Sequence, residues 1–236
     1  MTTPVSERRR ALLSWSGGKD SCLALHEVLQ SREADIEALL TTMTQDYDRI
    51  SMHGVRRTLL ERQAASLGLP VSEVAIPKDA DNAIYESRMG EALATQRERG
   101  VEAIVFGDLF LADVRAWREQ LIARHGLTGI FPLWGRDTHA VIRDFLDRGF
   151  RAVVVCVDPA KLDPSFAGRV IDEGFLADLP ASVDPCGENG EFHTFVFGGP
   201  IFKQPVKYSR GEIVHRSAFW FCDLVPENKD GVQEPC

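Results

Sequence analysis

Six residues near the start of the chain, Ser16-Gly17-Gly18-Lys19-Asp20-Ser21, place two glycines, two hydroxyls, an ammonium and a carboxylate in one run. Adjacent glycines let a backbone approach a ligand closely, and a helix starting there offers unpaired N–H groups and a partial positive charge. That combination suits a phosphate group. It is not the commoner nucleotide loop Gly-x-x-x-x-Gly-Lys-Ser/Thr, which needs glycine where Leu13 stands and a hydroxyl where Asp20 stands. Nor does it read Gly-x-Gly-x-x-Gly. Simple γ-phosphate hydrolysis and dinucleotide binding are therefore disfavoured.

Other groups are placed where chemistry could use them. Asp108 follows Gly107 at the end of an apolar run, as a carboxylate for magnesium or ribose or as a helix N-cap. Residues 185–194 crowd Glu188, Asn189, Glu191 and His193 into a glycine-rich stretch. A tight turn feeding a strand, with His193 as a core residue, is the alternative there. The connection 43–54 is long for an α/β unit and carries Asp46, Tyr47, Asp48 and His53. It reads as a lid or substrate contact, with His53 and Arg56 as participants, or as a solvated loop. Cys186 has no evident basic neighbour and reads as an inert buried thiol.

The elements that must position these groups are legible as apolar runs at 11–15, 36–42, 74–76, 103–106, 129–133 and 152–157. Short unbroken runs are what buried parallel strands look like. Amphipathic stretches lie between them. After the glycine loop, Cys22, Leu25 and Leu29 share a face; Val55, Leu59, Leu60, Ala64 and Leu67 do so before Gly68. Ile84, Met89, Ala92 and Leu93 precede Gly100, and Asp137 caps a helix running through Val141, Ile142, Phe145 and Leu146 to Gly149. Strand and helix alternate about six times, which predicts an α/β fold with a doubly wound, mostly parallel, Rossmann-like sheet and a ligand site at its carboxyl edge. Beyond about residue 158 the texture changes to Asp-Pro pairs, glycines and two alternating segments, near 206–208 and 213–221, separated by Ser209-Arg210-Gly211. This predicts a second, smaller α+β domain ending in a hairpin. The expected division is 1–135, 136–226 and a loose tail at 227–236.

The bulk properties narrow the partners. A net charge of −8 and a pI near 5.3 oppose polyphosphate backbones, so nucleic acid is not an expected partner. Arg8-Arg9-Arg10 reads as a solvated arm. Five scattered cysteines without a Cys-x-x-Cys pair argue against a disulfide framework or a zinc knuckle, and no apolar stretch is long enough to span a bilayer. A cytoplasmic location follows as the expectation, with a homodimer admissible.

Ser-Gly-Gly-Lys-Asp-Ser after a first strand resembles the PP-loop of the ATP pyrophosphatases, within the adenine-nucleotide α-hydrolase fold. Gly107-Asp108-Leu109-Phe110, Phe131-Pro132-Leu133-Trp134, Leu162-Asp163 with Gly168-Arg169, and Gly187-Glu188-Asn189-Gly190-Glu191-Phe192 followed by Thr194-Phe195 extend the likeness over roughly 10–205. Together they are similar to the diphthine–ammonia ligase family. His53-Gly54-Val55-Arg56 and Gly107-Asp108-Leu109-Phe110 depart from its archaeal and eukaryotic pattern and make the chain look like a bacterial branch.

The resemblance implies that ATP and Mg2+ bind, that a carboxylate is adenylated with loss of pyrophosphate, and that ammonia displaces AMP. It implies that Ser14, Ser16, Gly17, Gly18 and Ser21 hold the nucleotide and that Lys19 neutralises developing charge. It also implies that Asp20 helps position magnesium or the helix start, and that Leu40, Thr41, Gly107 and Asp108 border the bound ATP. Glu188, Glu191 and His193 would bind ammonium or act as bases on it, with Asn189, His53 and Arg56 near the substrate. An RNA-modifying relative of the same superfamily and a nucleotide sensor without turnover are the alternatives. The acidic balance and the missing cysteine pairs weigh against the first.

Overall fold

The computed structural model describes residues 8–227. Five parallel strands form the main sheet in the order β4 (Val71–Ile76), β2 (Ala34–Thr44), β1 (Arg9–Ser14), β5 (Ala103–Val105) and β6 (Thr128–Ile130). A two-residue strand, β3 (Arg49–Ile50), pairs antiparallel with Met43 and Thr44 at the far end of β2.

Alternate residues of the central strands feed opposite faces. Ala11, Leu13, Leu39 and Val105 join one core with the helices α1 (Lys19–Ser31), α2 (Arg57–Leu67) and α5 (Thr138–Asp147). Leu12, Leu40 and Ile104 join the other with α3 (Asn82–Glu98) and α4 (Ala112–Ala123). Helices on both faces leave no polar side to the sheet, which is why its strands read as unbroken apolar runs. The predicted α/β, doubly wound class is borne out, as is the smaller second unit.

That second unit is a four-stranded antiparallel sheet in the order β8 (Phe192–Gly198), β7 (Arg151–Val157), β10 (Phe219–Pro226) and β9 (Tyr208–Arg216), with the short helix α6 (Glu173–Asp178) beside it. The run at 152–157, read above among the parallel strands, belongs here. It is buried along its length and so carries no alternation to betray its sheet. Ser209-Arg210-Gly211 is not a turn but part of β9, where the pairing register shifts opposite Cys222 and Leu224; the reversal is at Ser217 and Ala218. Glycine in a strand often marks such an irregularity.

Further local corrections follow from burial. Arg8, Arg9 and Arg10 are no free arm, since Arg9 opens β1 and the three guanidinium groups pair with Asp35, Glu33 and Glu37. Leu29 and Ile84 are exposed, so the inner faces of α1 and α3 are narrower than their apolar residues suggest. Asp137 caps α5 as expected, its Oδ2 accepting from Ala140 N–H at 2.8 Å. The proposed tail beyond Glu227 lies outside the described residues.

Candidate active site

β1 delivers the glycine loop to the carboxyl edge of the sheet. Gly17 sits at φ +77°, and a Cβ there would lie 2.7 Å from the side-chain oxygen of Gln63, so both conformation and space require glycine. The serines tie the loop to itself: Ser16 Oγ accepts from Gly18 N–H at 3.2 Å, and Ser21 Oγ donates to Gly18 O at 3.0 Å. Helix α1 starts at Lys19, which is only 3% exposed and places its ammonium 2.8 Å from both oxygens of Asp20. Gly107, just past β5, abuts this helix start, since a Cβ on it would lie 2.7 Å from the carbonyl carbon of Asp20.

The downstream segment folds back onto the loop. Asp184 Oδ1 accepts from the N–H groups of Cys186 and Glu188, and Gly187, at φ +69°, turns the chain so that Glu188 faces inward. Glu188 Oε2 then accepts from Leu109 N–H at 3.1 Å. A cavity of about 220 Å3 results, bordered by Ser16, Lys19, Asp20, Ser21, Gly107, Asp108 and Glu188, with His53, His193, Thr194 and Arg118 completing it.

A neighbouring cleft of about 290 Å3 shares Ser14, Ser16, His53, Arg118 and His193. Leu40, Thr42, Ile104 and Phe106 form its floor at the ends of β2 and β5, and Tyr85, Met89 and Trp117 wall it. Thr41 is not part of it. The pleat turns that side chain to the other face, where its hydroxyl donates to Trp15 O at 2.9 Å.

Burial sets the electrostatics. It works to lower the pKa of Lys19, but Asp20 alongside outweighs it and holds the ammonium charged. Asp20, Asp108 and Glu188 are each pushed up, chiefly by burial, and Glu188 reaches about 7 with the charge of Asp20 as the next cause. Asp108 Oδ2 is buried without a hydrogen-bond partner, Arg118 Nε standing off at 3.4 Å in an ion-pair contact.

The imidazoles of His53 and His193 lie 4.7 Å apart between the cavity and the cleft. Burial pushes His53 down to about 3, with His193 adding to the effect, and His193 down to about 4, with Lys19 adding. His53 Nδ1 is 3.1 Å from the carbonyl of Thr194, which can only accept, so Nδ1 carries the proton and Nε2 is left as an acceptor. Both rings are neutral in the folded state but become protonated in the unfolded chain below about pH 6.5. Native stability should therefore fall as pH drops from about 6.5 toward 4, by roughly 3 kcal/mol for His193. Urea midpoints measured from pH 7.5 to 5 should be flatter in His193→Asn than in the parent; identical slopes would refute the assignment.

Three further sequence-designated residues, Arg56, Glu191 and Asn189, border neither cavity. Arg56 joins Arg49 on Asp223, with contacts of 2.7 and 2.8 Å, and ties α2 to β10. Glu191 is buried and accepts through Oε1 from Asp184 N–H and from the amide of Asn189, itself exposed; both brace the turn and border neither cavity. Cys186 does have a basic neighbour, Lys19, yet burial holds its thiol well above the ordinary range and Sγ donates to Thr138 O. In the connection after β2, Met43 and Thr44 pair with β3 and two turns make up the rest, the second presenting His53.

The sequence passes over Arg118 and Gln63, and Thr194 stands in it only as part of a motif, with no role of its own. Gln63 was findable: it is a polar residue in the middle of the α2 face made by Leu59, Leu60, Ala64 and Leu67.

Comparison with known proteins gives this arrangement a lineage. The diphthamide synthase N-terminal domain model matches residues 9–129 and the C-terminal domain model residues 137–228. The chain belongs to the diphthamide synthase family. Proteins named diphthine–ammonia ligase are similar to it: that of Schizosaccharomyces pombe is 24% identical over 228 residues, covering 89% of this chain and 38% of the relative. Those of Bos taurus and Homo sapiens are each 25% identical over 231 residues, covering 89% of this chain and 86% of the relative. The chain thus spans 38% of the length of the fission-yeast protein.

These relatives of the diphthamide synthase family are eukaryotic, which overturns the bacterial-branch expectation. The two stretches that suggested it have local duties: residues 53–56 form the turn and the Asp223 contact, and in 107–110 Leu109 N–H anchors Glu188. Among the described residues no helix is long and apolar enough to cross a membrane.

Proposed function

We propose that this chain cleaves ATP to AMP and pyrophosphate, adenylates a carboxylate and transfers the acyl group to ammonia. The observation that carries this reading is that the loop 16–21 and the segment 186–194 border one cavity, with Lys19 and Asp20 facing Glu188. Ser14, Ser16, Gly17, Gly18 and Ser21 would hold the phosphates at the start of α1, and the cleft over Leu40 and Phe106 would take the adenine. An oxygen of the acceptor carboxylate attacks the α-phosphorus, and the bond to the β-phosphate breaks. Lys19, fixed in place, offsets the charge that builds on the departing pyrophosphate.

In the second half, ammonia attacks the acyl carbon and AMP leaves. Glu188, whose carboxyl titrates near neutrality, is placed to take the proton released by the attacking nitrogen. His193 titrates too low to serve as a strong base at pH 7 and would instead orient a ligand by hydrogen bonding. Glu191 and Asn189 support Glu188 through the turn. In this reading 1–135 binds the nucleotide and 136–226 supplies the acceptor side.

The residues fit magnesium. Asp108 presents a buried oxygen that has no hydrogen-bond partner and only the looser ion-pair contact with Arg118, and three carboxylates of raised pKa share one cavity. No group of three or more metal-ligating side chains converges among the described residues, as suits an ion that keeps waters and phosphate oxygens as ligands. Asp20 and Asp108 would hold it, and when bound it supplies neutralisation of phosphate charge.

The test is incubation of the chain with magnesium, ammonia, a metabolite and protein extract, and ATP labelled at the α-phosphate. Labelled AMP with pyrophosphate supports the reading. ADP and phosphate as the sole products would sink it, and tight ATP binding without product would assign a sensor.

A further inference from the structure

The phosphate loop is not closed by its own domain alone. Strand β8 of the second sheet lies against it: Val196 N–H donates to Gly17 O at 2.9 Å, and the side-chain amide of Gln63 donates to both Gly17 O and Val196 O, at 3.0 and 2.7 Å. Trp15 Nε1–H donates to the oxygen of the same Gln63. β8 is therefore held in register with the loop by a fully buried side chain. Two residues before Val196, Thr194 is 3% exposed and borders the cavity that holds Ser16, Lys19 and Ser21.

Thr194 also takes something from the loop. Its Oγ1 accepts from Lys19 N–H at 3.0 Å, one of the unpaired donors with which a helix start binds anions. A hydroxyl that accepts one hydrogen bond keeps a proton to donate. Gly18 leaves no wall between them, since a Cβ there would stand 3.2 Å from Thr194 Oγ1 and 3.1 Å from Thr194 O. We propose that the Thr194 hydroxyl is a ligand for the pyrophosphate portion of the nucleotide: it accepts from Lys19 N–H and donates to a phosphate oxygen, so that β8 completes the phosphate site. The proposal rests on the reading of ATP binding above and extends it to a residue of the other sheet.

Calorimetry on the full chain tests it, with magnesium and three probes: α,β-methylene-ATP, which cannot be cleaved at the relevant bond, pyrophosphate, and AMP. Thr194→Val should bind the first two about tenfold more weakly or worse, as for loss of a hydrogen bond to a charged group. AMP should bind within about twofold of the parent value, and Thr194→Ser should restore binding of the first two. Equal binding of α,β-methylene-ATP by Thr194→Val and the parent would overturn the proposal. So would a parallel loss for all three probes with a lower melting temperature, which is what a helix cap alone would give. If Thr194→Val fails to fold, Thr194→Cys, close in size and a weak donor, carries the same expectation. A parent protein that binds neither α,β-methylene-ATP nor pyrophosphate would remove the nucleotide reading itself, a result distinct from a failure of Thr194 alone.

Discussion

Lys19→Ala is expected to slow release of pyrophosphate by about 10²–10³-fold, the usual consequence of removing one fixed donor from a site of developing charge. The ammonium is the cationic group set deepest at the loop, 3% exposed and held by both oxygens of Asp20. Its loss leaves Asp20, Asp108 and Glu188 facing one another without that countercharge, so Asp20 should bind a proton more readily still. Lys19→Arg should not rescue the rate, because a planar guanidinium does not fit a space shaped around a compact ammonium. The measurement is AMP formation under saturating ATP, with a melting curve beside it to establish that the fold persists. Parent rates in Lys19→Ala would take the loop out of the reaction.

A large effect on stability is expected at Gly107. An added Cβ would lie 2.7, 2.8 and 2.9 Å from Asp20 C, Asp20 O and Ser21 N, all of them backbone in the first turn of α1. No flexible tip can move aside. Either β5 retreats from β1 or the helix start that carries Lys19 and Ser21 shifts, so Gly107→Ala should cost about 3 kcal/mol and weaken ATP binding as well. Gly135 is the control. It has φ +74° but nothing within 4 Å, so Gly135→Ala should cost only backbone strain, about 1 kcal/mol. Urea midpoints that rank the two variants the other way would refute the close-approach argument.

Local signals in the sequence reached further than long-range ones. The glycine loop was legible because six consecutive residues and the strand before them determine it. The central strands were legible because burial on both faces removes alternation. For the same reason 152–157 could not be assigned to its sheet: an antiparallel strand covered on both sides has the same texture as a parallel one. Glu188 and Glu191 look equivalent as letters. The left-handed turn at Gly187 and the Leu109 N–H anchor send one into the cavity, while Asp184 and Asn189 bind the other as a brace. Arg56 was drawn toward the site by its neighbour His53, yet Asp223, 167 residues away, decides where it points. No reading of spacing along the chain contains that partner.

The contact between Lys19 and Thr194 joins residues 175 positions apart. During synthesis the loop emerges well before β8, so a nascent chain carries its glycine loop before the strand that braces it exists. Long-range pairing of this kind forms late and slowly. The glycine loop is thus unbraced in any polypeptide that has not yet reached β8.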